Sequence, residues 1–194
     1  MTTAPIEIKE KTYTVKEWLE LEKHSDIRHE YYYGKLIPMA GEAKRANILA
    51  GNIKKHLDDP LYEKGFLIYD HDVKAEVVPE GIYRYPDLVA APIDDDEDEY
   101  IVKQPVMMAK VASEKSGFRD RVKKRKEYLN IKTMKYYLIV SQNEMWVVLH
   151  SRGSTGNWET QYLTEPEDVA ELTDFGICIS LADIYKRVAL KSGN

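Results

Sequence analysis

Three charged residues stand where the surrounding pattern asks for apolar ones, and each could do chemistry. Asp87 follows Pro86 and opens the run Leu88-Val89-Ala90-Ala91. A carboxylate beside a buried strand must be paired, protonated, bonded to backbone N–H groups or bound to a metal. Lys110 sits inside Val106-Met107-Met108-Ala109-Lys110-Val111. A lysine there either finds a partner, for which Asp87 on an adjacent strand is a candidate, or runs its stem to a strand end in water. Glu30 precedes three tyrosines, Tyr31 to Tyr33, and reads either as a metal or structural carboxylate or as an exposed strand start.

A fourth group is cationic. Arg119, Arg121, Lys123, Lys124, Arg125 and Lys126 crowd one segment. Such a patch suits phosphates, and an exposed helix face is its ordinary explanation. Lys124 and Tyr128 lie four residues apart, with Arg121 on the same flank, so Lys124 can reach toward a sheet while Lys123 and Lys126 face water. Asp120, also four residues from Lys124, offers it a surface ion pair instead.

Other chemistries lack their residues. The five histidines form no H-x-x-x-H or H-E-x-x-H pair, and no G-x-S-x-G, P-loop or G-x-G-x-x-G is present. With Cys178 alone, neither an intrachain disulfide nor a cysteine zinc site can form.

The elements that must position these groups follow from periodicity. Thr14 and Glu17 form a capping-box pattern ahead of a helix over 15–23. Aromatic and β-branched residues around Gly34 predict two short strands and a tight turn. Ile48, Leu49, Ile53 and Leu57 make the stripe of a helix over 43–57, with Pro60 as its stop. Strands are expected at 66–69, at 73–77 with Lys74 and Glu76 outward, and at 82–91. A central strand over 106–111, a helix over 117–129 and a strand over 136–140 make a βαβ-like unit. Strands at 145–149, 158–163 and 177–179 and a closing helix over 182–189 complete the order. This predicts an α/β class, a mixed α+β sheet flanked by helices. One domain over 1–194 is expected, with a loose arm at 1–12 and a disordered tail at 190–194.

The chain has 194 residues and a formal net charge of −5, ordinary values for a globular protein. No apolar run is long enough to span a membrane, no signal-peptide pattern opens the chain, and a reducing cytoplasm is the expected home. The acids at 94–99, six in a row, read as a solvated loop and outweigh the whole net charge. The remainder is therefore not biased against nucleic acid.

Taken in order, several blocks resemble the Uma-two proteins, a family of restriction-endonuclease type with many cyanobacterial members. They are Tyr13-Thr14-Val15-Lys16-Glu17-Trp18-Leu19, Arg28-His29-Glu30-Tyr31 with Gly34, Ala40-Gly41 and Ala50-Gly51-Asn52-Ile53. Tyr85-Pro86-Asp87-Leu88-Val89, Pro105-Val106, Ser113 with Asp120, Lys124 and Tyr128, and Tyr136-Tyr137-Leu138-Ile139-Val140 follow. The resemblance implies the restriction-endonuclease-like PD-(D/E)XK core. It implies Mg²⁺ held by Asp87 with Glu30, Lys124 as the displaced lysine that orients water, and hydrolysis of DNA phosphodiester bonds. Arg119, Arg121, Lys123, Arg125 and Tyr128 would hold nucleic acid, and the protein would act as a homodimer, with no nucleotide cofactor.

The sequence departs from that pattern at two positions. Lys110 stands where the family's second metal carboxylate belongs, and Ala46 where a histidine is common. An ammonium offers a hard divalent ion no ligand. Three expectations therefore stand together: a Mg-dependent endonuclease, a nuclease-fold protein that binds nucleic acid or a partner without catalysis, and a protein-interaction module. The second expects Asp87 and Lys110 in contact.

Overall fold

The computed structural model describes residues 11–94, 98–112 and 118–190, with the backbone alone described for 118–121. Most of the expected arm, four residues of the expected tail, part of the acidic run, Ser113 and the side chains of Arg119, Asp120 and Arg121 lie outside the described residues.

Helix α1 (Val15–His24) starts at the expected capping box: Thr14 accepts from the Glu17 amide, and Glu17 accepts from the Thr14 amide at 2.8 Å. Strands β1 (His29–Tyr32) and β2 (Lys35–Pro38) form the expected hairpin. Its turn residues Tyr33 and Gly34 both have positive φ, +44° and +86°, the requirement of a tight two-residue turn. A side chain at Gly34 would also press on Thr12 and the Tyr13 carbonyl.

Helix α2 (Lys44–Tyr62) runs past Pro60, where a stop was expected. Pro60 lies in the final turn, so only one intrahelical bond is lost, and fully buried Leu61 holds that turn on the core. Strands β3 (Phe66–Asp70) and β4 (Lys74–Val78) follow. Lys74 was expected outward but is buried, its Nζ 5.4–6.0 Å from the ring centroids of Tyr85, Tyr100 and Trp18. Burial lowers its pKa.

The strand expected over 82–91 is two strands in two sheets: β5 (Ile82–Arg84) and β6 (Leu88–Pro92). Pro86, with no N–H to donate, lies in the break. Next come β7 (Ile101–Val102), β8 (Met107–Ala112), α3 (Phe118–Leu129), β9 (Tyr136–Ser141), β10 (Val147–Arg152) and β11 (Trp158–Leu163). The chain closes with β12 (Val169–Leu172), β13 (Ile177–Ser180) and α4 (Leu181–Ile184), one short turn where a longer helix was expected.

One sheet has the order β2-β1-β5-β4-β7 and another β11-β10-β9-β8-β6-β3, while β12 and β13 pair separately. β8 and β9 are parallel, as the βαβ reading requires, and β8 lies between β6 and β9. Alternate residues of the six-stranded sheet pack two cores. Leu88, Ala90, Ala109 and Leu138 pack with Leu49, Ile53 and Leu57 of α2. Val89, Ala91, Met108 and Tyr137 pack with Tyr128 of α3 and with Ala75, Val77 and Ile82 of the other sheet. Burial on both faces explains the near-continuous apolar runs of β6 and β8. Among the described residues, no helix is long and apolar enough to cross a membrane.

Candidate functional site

The break between β5 and β6 places Asp87. Its amide donates to the Ala109 carbonyl of β8 at 3.0 Å, which carries the residue over the neighbouring strand. Its carboxylate then meets two donors from β8. Lys110 Nζ donates to Oδ1 at 2.8 Å, and the Val111 amide makes a very short bond to Oδ2. Lys110 Nζ also donates to the Tyr85 carbonyl at 3.2 Å. The Lys110 side chain is 28 % exposed and that of Asp87 11 %.

This pair lines a cleft of about 690 Å³. Arg28, Glu42, Ala46 and His71 also line it. His71 has a left-handed φ of +56°. Its Nδ1 lies 3.3 Å from Glu42 Oε2, and its Nε2 lies 3.1 Å from Asn47 Nδ2. Burial, then the neighbouring Asp87, raises the Glu42 pKa, although His71 and Lys110 oppose the shift. Arg28 bonds Asp72 at 3.3 Å.

Glu30 and Lys124 come together elsewhere. Glu30 Oε2 lies 2.8 Å from Arg84 and 3.0 Å from Lys124. Arg84 also reaches Glu127 Oε2 through two nitrogens, at 2.8 and 3.2 Å. The Arg84 side chain is 1 % exposed and that of Glu30 5 %. Burial disfavours the charged form of Arg84, but the fields of Glu30 and Glu127 more than offset it. β1, β5 and α3 each contribute to this cluster, which ties α3 to the five-stranded sheet.

Glu30 and Asp87 are thus engaged by separate cations and do not converge on one position. Among the described residues, no group of three or more His, Cys, Asp or Glu side chains is disposed to hold a metal. The donor set around Asp87 does not fit a divalent ion, because an ammonium and a backbone amide, neither of them a ligand, already hold its two oxygens.

The other expected residues divide. Lys123, Arg125 and Lys126 are exposed, and Lys123 Nζ sits 3.5 Å from the Tyr32 ring centroid. Tyr128 is a correction to the nucleic-acid set. It is 1 % exposed, its ring lies edge-on to Tyr137 at 5.0 Å, and burial raises its hydroxyl pKa. A base cannot stack on it there. Sequence reasoning missed Glu42, His71, Arg84 and Glu127. Only Arg84 carried a signal: a charge two residues beyond Ile82 in an aromatic strand.

The mixed sheets with flanking helices are consistent with a restriction-endonuclease-like fold. The structure is similar to "a putative nuclease belonging to DUF820" from Anabaena variabilis, with a TM-score of 0.74 and 14 % identity over 91 % of this chain and 99 % of that one. The family model Uma2, described as "Putative restriction endonuclease", matches residues 15–182, and the chain belongs to that family. Two similar proteins come from Synechocystis sp., each bearing only the name "Uncharacterized protein". The first, slr1290, is 25 % identical over 90 % of this chain and 92 % of its own length. The second, sll1609, is 26 % identical over 68 % of this chain and 76 % of its own length.

Proposed function

We propose that this protein binds the phosphodiester backbone of DNA, with the outer face of α3 as the main contact. The observation that carries the reading is the division of α3. Tyr128 and Lys124 turn inward onto the sheets, while Lys123, Arg125 and Lys126 are exposed, Lys123 with its ammonium over the Tyr32 ring. A helix anchored by its buried side holds its outer cations in place for phosphates, so less order is lost on binding. Family membership supplies the ligand class, since the family is of nuclease type.

Fluorescence anisotropy on a labelled duplex across a salt series tests it. Binding should weaken steeply with salt, and replacing Lys123, Arg125 and Lys126 together by Glu should reduce affinity at least about tenfold and flatten the salt slope. Salt-independent binding, or full binding by the triple variant, overturns the reading.

A second reading, Mg-dependent endonuclease, comes with the family and requires Lys110 to give up Asp87 to the ion. It expects magnesium-dependent nicking or cutting of DNA that Asp87→Ala abolishes.

A further inference from the structure

We propose that Lys110 is a built-in cation that takes the place of a divalent metal beside Asp87, so that the cleft meets anionic ligands without any metal. The reading deepens the nucleic-acid proposal by naming what faces the phosphate at this site.

Lys110 Nζ satisfies the groups an ion would use. It takes Asp87 Oδ1 at 2.8 Å and the Tyr85 carbonyl at 3.2 Å. The other Asp87 oxygen is turned onto the Val111 amide. A magnesium ion demands near-octahedral oxygen ligands and gives up water reluctantly. Here it would have to displace an ammonium that its own strand holds against the carboxylate.

The anchoring is also directional. Lys110 leaves β8 on the same strand as the Val111 amide, so one strand supplies both donors to one carboxylate. An ammonium has three N–H donors, and the described residues accept two of them. The side chain is more than a quarter exposed toward the cleft, so the third N–H faces that space, where the Glu42 carboxyl also feels its charge and any anion must compete with it.

The test needs no nucleic acid. Wild type, Lys110→Glu, Asp87→Asn and the Lys110→Glu/Asp87→Asn double variant are stripped with EDTA. Each is then titrated with Mg²⁺ and Mn²⁺ by calorimetry and by thermal melting. Wild type should give no binding heat and no shift of Tm. Lys110→Glu places two carboxylates together, so its Tm should fall in EDTA and rise by roughly 5–10 °C at Mn²⁺ well above the dissociation constant. The double variant should lose that rise. A wild-type heat or shift that Asp87→Asn removes overturns the proposal, as does a folded Lys110→Glu variant that ignores both metals.

If Lys110→Glu does not fold in either condition, Lys110→Gln decides. Mn²⁺ should broaden the Val111 amide resonance in that variant and leave it sharp in wild type, and equal behaviour of the two overturns the proposal. A separate arm compares DNA binding in EDTA and in magnesium, where equal affinity is expected. Failure to bind DNA at all would sink the nucleic-acid reading while leaving the metal result to stand on its own.

Discussion

Lys110 and Lys124 each hold a carboxylate at about 3 Å, but their surroundings separate their roles. Lys110 and Asp87 form a pair at the wall of a cleft, with Asp87 buried and the Lys110 ammonium partly open to water. Lys124 and Glu30 belong to a group of four charges built around fully buried Arg84 and completed by Glu127. In the cleft pair, water screens the ammonium and a ligand can compete for it. In the cluster around Arg84 each charge depends on the others, because an unpaired ion is poorly solvated there. The lesson concerns Glu30 and Lys124. Both match catalytic positions by resemblance, and both lie in contacts that join α3 to the five-stranded sheet.

The largest expected effect breaks the Arg84 side. Arg84→Met leaves Glu30 and Glu127 without their shared cation, and urea denaturation should show a loss of about 3–5 kcal/mol. A loss under about 1 kcal/mol would mean that water enters the cluster and that the contrast with the cleft is false. Glu30→Gln keeps the shape but removes one charge, so a smaller loss of roughly 2–3 kcal/mol is expected, with cooperative unfolding retained.

A third prediction uses pH on the same side of the sheet. His150 stacks on Tyr137, which in turn contacts Tyr128 of α3. Burial, with help from Arg125, lowers the His150 pKa from 6.5 to about 4. Its folded pKa is depressed, so the unfolded chain binds the proton more readily. Stability is therefore full above about 6.5 and falls as pH drops toward 4. The loss should be on the order of 1–3 kcal/mol. Melting curves across that range should show it, and His150→Phe should flatten the slope. A wild-type curve equally flat would mean that His150 is accessible to water.

The smallest effect sharpens the open side. Lys110→Gln removes a screened, partly exposed pair and should change stability by no more than about 1 kcal/mol. A loss as large as that of Arg84→Met would place Lys110 among the structural charges instead.

Much of the architecture was legible because it is local. The capping box at Thr14, the positive-φ turn at Tyr33-Gly34 and the apolar run of β8 each rest on chemistry within a few residues. The failures share a cause as well. Lys74 and Arg84 alternate with apolar neighbours as outward residues would, yet packing between layers surrounds one with aromatic rings and the other with carboxylates. Pro60 reads as a stop until Leu61 is seen seated in the core. The expected strand over 82–91 is continuous although Pro86 marks a break, and composition does not say that its halves join different sheets.

For the site, the sequence by itself determined the charges: an aspartate after Pro86, a lysine in the central strand, a basic helix after it. It also made Asp87 and Lys110 candidates for contact, since both had to be satisfied within neighbouring strands. Only the tertiary structure decided the allegiances. It gave Asp87 to Lys110, Glu30 to Arg84 and Lys124, and placed His71 and Glu42 in the cleft from distant parts of the chain. Residue type sets what a side chain must find in a low-dielectric interior, while the partner it finds depends on which segments the packing of two sheets brings within 3 Å.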